Sequence, residues 1–164
     1  MQRRGPGVVA VAVTLITAAC GGGDAQIPVP QLEADRILFE RGTEAMEDEN
    51  WATAREYFVQ IRDNYPQSPF RADARLFIGD SYEGDGAAES YVQALNEFQD
   101  FLNLYPTHPR AAYAQFKVGM VHYHQMRRAE RDQTETLSAI REFEAFQAQY
   151  PADHELMPQV LERA

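Results

Sequence analysis

Three times the chain writes one phrase: an Ala, a Phe four residues on, and a Tyr-Pro at a fixed distance. The copies are Ala54, Phe58 and Tyr65-Pro66; Ala94, Phe98 and Tyr105-Pro106; and Ala139, Phe143 and Tyr150-Pro151. Ala to Pro is twelve residues in each, and a bulky apolar residue (Ile61, Phe101, Phe146) stands five before the Pro. Four positions held in register across three copies mark a helical repeat. A glycine lies upstream of each Ala, at Gly42, Gly79 and Gly119, at intervals of twelve, fifteen and twenty residues.

The first interval fits the frame of the tetratricopeptide repeat, about 34 residues per helix pair. In that frame the Gly, lacking a Cβ, lets the first helix approach the second closely. The Ala marks the crossing, and the Phe one turn later fills the gap. The Pro ends the second helix because it cannot donate the next backbone hydrogen bond. The longer intervals place extra residues in the turn between the two helices, at Gly84–Ser90 and at about Arg127–Thr136. Leu38, Gly42 and Ala45 form one helical stripe, and Ala54, Phe58, Ile61 and Tyr65 another. Ser68-Pro69 and His108-Pro109 put Pro early in the next helix. No strand pattern is visible. The expected fold is all-α: a right-handed, tetratricopeptide-like solenoid of antiparallel helix pairs over residues 32–152, in repeats of about 32–68, 69–108 and 109–152. Residues 153–164 would open an incomplete fourth, with Pro158 about one turn into its helix, where it should disturb rather than start it.

Residues 1–19 belong to no such domain. Arg3 and Arg4 precede an apolar stretch, Val8 to Thr17, too short to span a bilayer. Small residues then lead to Cys20, the chain's single cysteine. This is a secretory signal, and Leu15-Ile16-Thr17-Ala18-Ala19-Cys20 is similar to a lipobox, with Thr17 where Leu is usual. An ordinary cleaved signal beside an incidental Cys is the other reading. A lipoprotein signal would leave Cys20 as an acylated, palmitate-type N-terminus, holding the protein at a membrane surface without a spanning helix. Residues 20–31, with Gly21-Gly22-Gly23, Pro28 and Pro30, read as a tether reaching about 35–40 Å when extended. Gly21 rather than Asp after the Cys resembles the proteobacterial signal for the outer membrane. The net charge is −10, and loss of the leader removes two arginines and no acid. Such a domain repels phosphate backbones and anionic lipid, so nucleic acid is excluded and the lipid is the anchor.

The repeat frame turns one stripe of each first helix towards a concave groove: Phe39, Thr43 and Met46; Leu76, Asp80 and Glu83; Tyr113, Phe116, Met120 and Tyr123. Of these, Phe39, Tyr113, Phe116, Met120 and Tyr123 are the candidate peptide-binding residues, because aromatics and Met in a groove suit segments with apolar anchors. An aromatic stripe at helical spacing more commonly packs against neighbouring helices. His122 and His124, two apart, point to different helix faces, so no metal site is expected. Asp80, Glu83, Asp85 and Glu89 lack the spacing of a calcium loop and read as a solvated turn. No nucleophile elbow, phosphate loop or dinucleotide motif is present, so neither an enzyme nor a cofactor is expected.

The lipobox, the tether and the Tyr-Pro repeats, with Leu104-Tyr105-Pro106-Thr107-His108-Pro109, resemble the BamD (YfiO) family of outer-membrane assembly lipoproteins. Arg131-Asp132 opening a long turn before Phe143 and Phe146 adds to the likeness, which covers about residues 20–157. It implies a scaffold of the β-barrel assembly machinery on the periplasmic face of the outer membrane. Such a scaffold binds the Omp85-type barrel protein and unfolded outer-membrane proteins, without cofactor or small-molecule substrate. Members carry more repeats than the three present here and use the C-terminal ones to meet the barrel component. The chain is therefore either truncated or keeps the client-facing half. The alternatives are a cell-envelope lipoprotein scaffolding Tol or peptidoglycan-linked proteins, and a hydrolase subunit that carries repeats.

Overall fold

The structure, a computed structural model, describes residues 31–126 and 132–164. The expected signal peptide, Cys20 and the tether up to residue 30 lie outside them. The described residues form seven helices and no strand: α1 Gln31–Glu47, α2 Trp51–Asn64, α3 Arg71–Asp85, α4 Ala88–Leu104, α5 Ala111–Gln125, α6 Thr134–Gln149 and α7 Met157–Arg163. Packing runs chiefly between consecutive helices, as a tetratricopeptide-like solenoid requires.

The repeated residues explain each pair. A Cβ on Gly42 would meet the Phe58 ring at 2.6 Å, on Gly79 the Phe98 ring at 2.7 Å, and on Gly119 the Phe143 ring at 2.5 Å. Glycine is therefore the residue that lets the paired helices close over each phenylalanine. Ala54, Ala94 and Ala139 are buried at the crossings. Three cores follow, each built from one helix pair and the first helix of the next. Ala45, Phe58, Ile61, Ala74 and Ile78 form the first. Leu76, Phe98, Phe101, Ala114 and Val121 form the second. Ala112, Phe116, Phe143, Phe146 and Val160 form the third, which α7 closes. Helices α3 and α5 thus bury two faces, in adjacent cores, whereas α2, α4 and α6 bury one.

The helix ends follow local chemistry. Helices α2 and α4 stop at Asn64 and Leu104, before their Tyr-Pro pairs, and α6 stops at Gln149. In each linker one residue closes the first turn by donating its N–H, at 3.0 Å, to a carbonyl three back: Ser68 to Tyr65, His108 to Tyr105, His154 to Pro151. The same residue's side chain accepts the N–H two further on: Phe70 to Ser68 Oγ at 3.1 Å, Arg110 to His108 Nδ1 at 3.2 Å, and Leu156 to His154 Nδ1 at 3.2 Å. Pro69 and Pro109 therefore belong to this turn and precede α3 and α5, rather than sitting in the first helical turn. Pro158 is displaced the other way. Helix α7 begins at Met157, so Pro158 is its second residue, where the missing N–H has no intrahelical partner to lose, and it starts the helix instead of disturbing it.

The extra residues of the second copy are also placed differently from expectation. Gly84 and Asp85 are helical, Gly86 caps α3 at φ 72°, and the turn is only Gly86-Ala87. Helix α4 starts six residues before Ala94, whereas α2 starts three before Ala54, so the surplus became an extra helical turn. A left-handed glycine cap makes the tight connection possible, and Ser90 Oγ donates to Asp85 Oδ2 across it at 2.9 Å. In the third copy α5 ends at Gln125 and α6 begins at Thr134. The surplus lies between them, where residues 127–131 fall outside the described part.

Candidate functional site

A groove of about 550 Å³ runs across the first helices. Met46 of α1, Phe77, Asp80, Glu83 and Gly84 of α3, and Tyr113, Phe116, Lys117, Met120 and His124 of α5 line it, with Trp51 of α2 and Gln159 of α7. Counted from the repeat glycine of α5, the stripe is six before, two before, one after and five after: Tyr113, Lys117, Met120 and His124. Phe77, Asp80 and Gly84 repeat the last three of these positions in α3.

The expected stripe is kept at Met46, Asp80, Glu83, Tyr113, Phe116 and Met120, and Phe77, Lys117 and His124, each one residue beyond an expected position, join it. Of the positions three before each glycine, Phe39 and Leu76 turn inward, whereas Phe116, though nearly covered, still lines the groove. Leu76 is fully buried and Phe116 is 6% exposed. Phe39 stacks on Phe70 at 4.8 Å and lies 5.7 Å from Phe58, within the first core. One residue along a helix rotates a side chain by about 100°, enough to exchange a groove position for a buried one. Of the five candidate residues, Tyr113, Phe116 and Met120 line the groove together. Phe39 does not, and Tyr123 packs on the third core beneath the Arg163 guanidinium at 6.0 Å. Thr43 returns its hydroxyl to the Phe39 carbonyl at 2.9 Å. Trp51, Phe77, Lys117 and His124 were missed. Spacing from the glycine could have found the last three. Trp51 is reached only in three dimensions, where a Cβ on Gly84 would meet its ring at 3.0 Å.

Charge concentrates on the groove floor. Asp80 and Glu83, expected both on the groove stripe and as part of a solvated turn, line the groove with side chains 10% and 9% exposed. Lys117 of the next repeat's first helix lies between them, with Nζ 3.2 Å from Asp80 Oδ1 and in closer contact with Glu83 Oε2. Burial pulls the Lys117 ammonium towards the neutral form, but Asp80 and Glu83 outweigh it and hold the pKa above its ordinary value. Tyr113 donates to Asp80 Oδ1 at 2.7 Å. Burial, reinforced by the Asp80 charge, pushes the Tyr113 hydroxyl well up, so it stays a donor. His124 Nε2 is 3.5 Å from Glu83 Oε1. His122 points elsewhere, with Nδ1 2.6 Å from Glu135. Asp85 pairs with Arg55 at 3.4 Å and is not a free turn acid either. Among the described residues no group of His, Cys, Asp and Glu is arranged to hold a metal ion.

At the rim, Arg110 lies over the Tyr113 ring at 4.9 Å and the Phe77 ring at 5.2 Å, and donates to Asp73 at 3.0 Å. Aromatic faces, two Met side chains and a buried charge network suit the groove to holding a polypeptide segment. Among the described residues no helix is long and apolar enough to cross a membrane.

Comparison with known proteins places the chain. It is 26% identical over 153 residues to the outer membrane protein assembly factor BamD of Caulobacter vibrioides, covering 90% of this chain and 49% of that protein. The chain thus spans about half the length of that relative. Residues 32–157, nearly all of the helical array, match the family described as YfiO, outer membrane lipoprotein. With the three Gly/Phe helix pairs inside that span, the chain belongs to the YfiO family of outer-membrane lipoproteins.

Proposed function

We propose that the chain is a lipid-anchored scaffold of outer-membrane β-barrel assembly, holding unfolded barrel proteins, the Omp85-type barrel component, or both. The observation that carries this reading is the family match across residues 32–157. Cys20, after Leu15 to Ala19, supplies the acylation site, and the tether lets the helical array work on the periplasmic face. Tyr113, Phe116 and Met120 contact the client in the groove. Phe39 and Tyr123, packed behind it, keep its walls in place.

An affinity pull-down of the full-length protein from mildly solubilised envelopes tests the reading. Recovery of an Omp85-type protein supports it. Recovery of Tol or peptidoglycan-linked proteins in its place replaces it with a cell-envelope scaffold.

A further inference from the structure

Helix α1 packs chiefly on a single neighbour, α2, whereas α3 and α5 each lie between two second helices. What holds it is aromatic. Phe39 stacks on Phe70 at 4.8 Å and meets Phe58 at 5.7 Å and Phe77 at 5.6 Å, and Gly42 sits on the Phe58 ring.

Three separate features work against that grip. The first is Asp35, which is 2% exposed and whose Oδ1 has no hydrogen-bond partner among the described residues. It stands seven before Gly42, a position that Ala72 holds in α3 and Ala112 in α5, both packed into apolar cores. The repeat thus wants a small apolar residue where the first copy has a carboxylate. Arg36, its neighbour in sequence, turns to Glu40 at 3.3 Å instead. A buried carboxylate without a partner strongly destabilises the state that buries it.

The second feature is charge at the far end of the helix. Glu44, Glu47 and Asp48 lie in or just beyond the last turn, which has no basic residue, so acid meets the negative end of the dipole. The third is the connection to α2, where Glu49 is held at φ 55°, a conformation unfavourable for a residue with a Cβ. Detachment relieves all three: Asp35 regains water, the acids lose the dipole, and Glu49 relaxes.

We propose that α1 is a strap that opens from the array as one unit, far more readily than α2 to α6, while the rest of the solenoid stays folded. Opening uncovers Phe58 and takes Phe39 off Phe70 and Phe77. A released helix of this length and charge pattern does not persist on its own. Its 17 residues, about 25 Å long as a helix, become up to about 60 Å of extended chain. The strap adjoins the segment read above as the tether, so opening lengthens the reach of the array from the membrane. That gain in reach rests on Cys20 being the anchor; the opening itself does not.

Hydrogen exchange read by mass spectrometry, on the full-length protein in mild detergent, tests the opening whether or not Cys20 is acylated. Amides of residues 36–47 should exchange together, at least about tenfold faster than those of α5. Asp35→Ala, which installs the residue of the other two repeats, should slow them by about tenfold or more and leave α5 unchanged. Glu49→Gly should slow them severalfold. Arg41→Ala, at an exposed position of the same helix, controls for helix propensity and should shift them by less than about twofold. Protection that climbs steadily from Glu33 to Glu47 marks a fraying end and overturns the proposal. So does α1 exchange that Asp35→Ala leaves unchanged, or that Arg41→Ala slows as much. The pull-down decides the role in barrel assembly separately.

Discussion

The ring of Phe143 approaches Gly119 so closely that a Cβ on the glycine would meet Cε1 at 2.5 Å. Phe143 is fully buried, so the ring has no free space to move into. Gly119→Ala should therefore destabilise the protein despite the helix propensity of alanine. Overpacking costs about 1–3 kcal/mol, against about 1 kcal/mol gained over glycine in a helix. Urea denaturation would show the loss, and Phe143→Leu in the same chain should recover part of it. Equal or greater stability of Gly119→Ala would contradict the packing. Gly42 and Gly79 should behave alike.

Glu49 offers the reverse opportunity. Asn50 donates to the Ala45 carbonyl at 2.8 Å and Glu49 to Met46 at 3.1 Å, closing α1 with Glu49 left-handed at φ 55°. This is the cap that glycine usually fills. A side chain in that conformation costs about 1–2 kcal/mol, and its carboxylate sits at the negative end of the helix dipole. Glu49→Gly should raise stability by about 1 kcal/mol, less the added freedom of the unfolded chain. An unchanged or lowered urea midpoint would count against the strain.

His108 and His154 do in their linkers what Ser68 does in the first: the side chain accepts an N–H two residues on. His108 also meets Phe101 edge-on at 5.4 Å, as His154 meets Phe146 at 5.4 Å. His108→Ala should lose about 1–2 kcal/mol through the freed N–H and the ring contact. His108→Ser restores the acceptor and should lose less. If the two variants unfold at the same denaturant concentration, the hydrogen bond contributes nothing.

Lys117→Met would leave Asp80 and Glu83 facing each other without their cation. Breaking a buried ion pair from one side costs about 3–5 kcal/mol, and the side chains of all three groups are at most 17% exposed. The pH dependence has a definite sign. Lys117 and Tyr113 both bind their protons more tightly when folded than at their ordinary values of 10.5 and 10.0. Their stabilising effect is complete below those values and is lost as pH rises through the higher folded ones. Unfolding monitored by circular dichroism should thus become easier in alkali above about pH 10, and less steeply so in Lys117→Met. A flat profile in the unsubstituted protein would refute the assignment.

What could be read from the chain alone depended on how often it was written. Gly, Ala, Phe and Tyr-Pro recur three times, so their roles in the helix pairs were legible. The groove lining was legible only in part, because choosing between the positions three and two before the glycine needs the direction of the second buried face. Phe116 and Phe77 are both large, aromatic and in the groove lining, and only the neighbouring core tells them apart: Phe116 is nearly covered in the third core, whereas Phe77 is half-buried against the first. The extra turn of α4 was hidden because Ala88-Glu89-Ser90 suits either a polar turn or a helix start. Pro158 was misread for want of a fixed start. The linker before α7 carries one residue more than the others between its Tyr-Pro and the residue that closes the turn, His154 in place of Ser68 or His108.

The two-faced burial of α3 and α5 divides the freedom to vary unequally along the array. In α5 eight of fifteen residues are buried, from Ala111 to Val121, and several of the remainder line the groove. In α4 only Ser90, Ala94, Phe98 and Phe101 are buried out of seventeen. A random substitution in α5 is therefore far more exposed to rejection than one in α4. Related chains should drift fastest on the outward sides of α2, α4 and α6, where a new surface can be acquired without displacing a buried side chain.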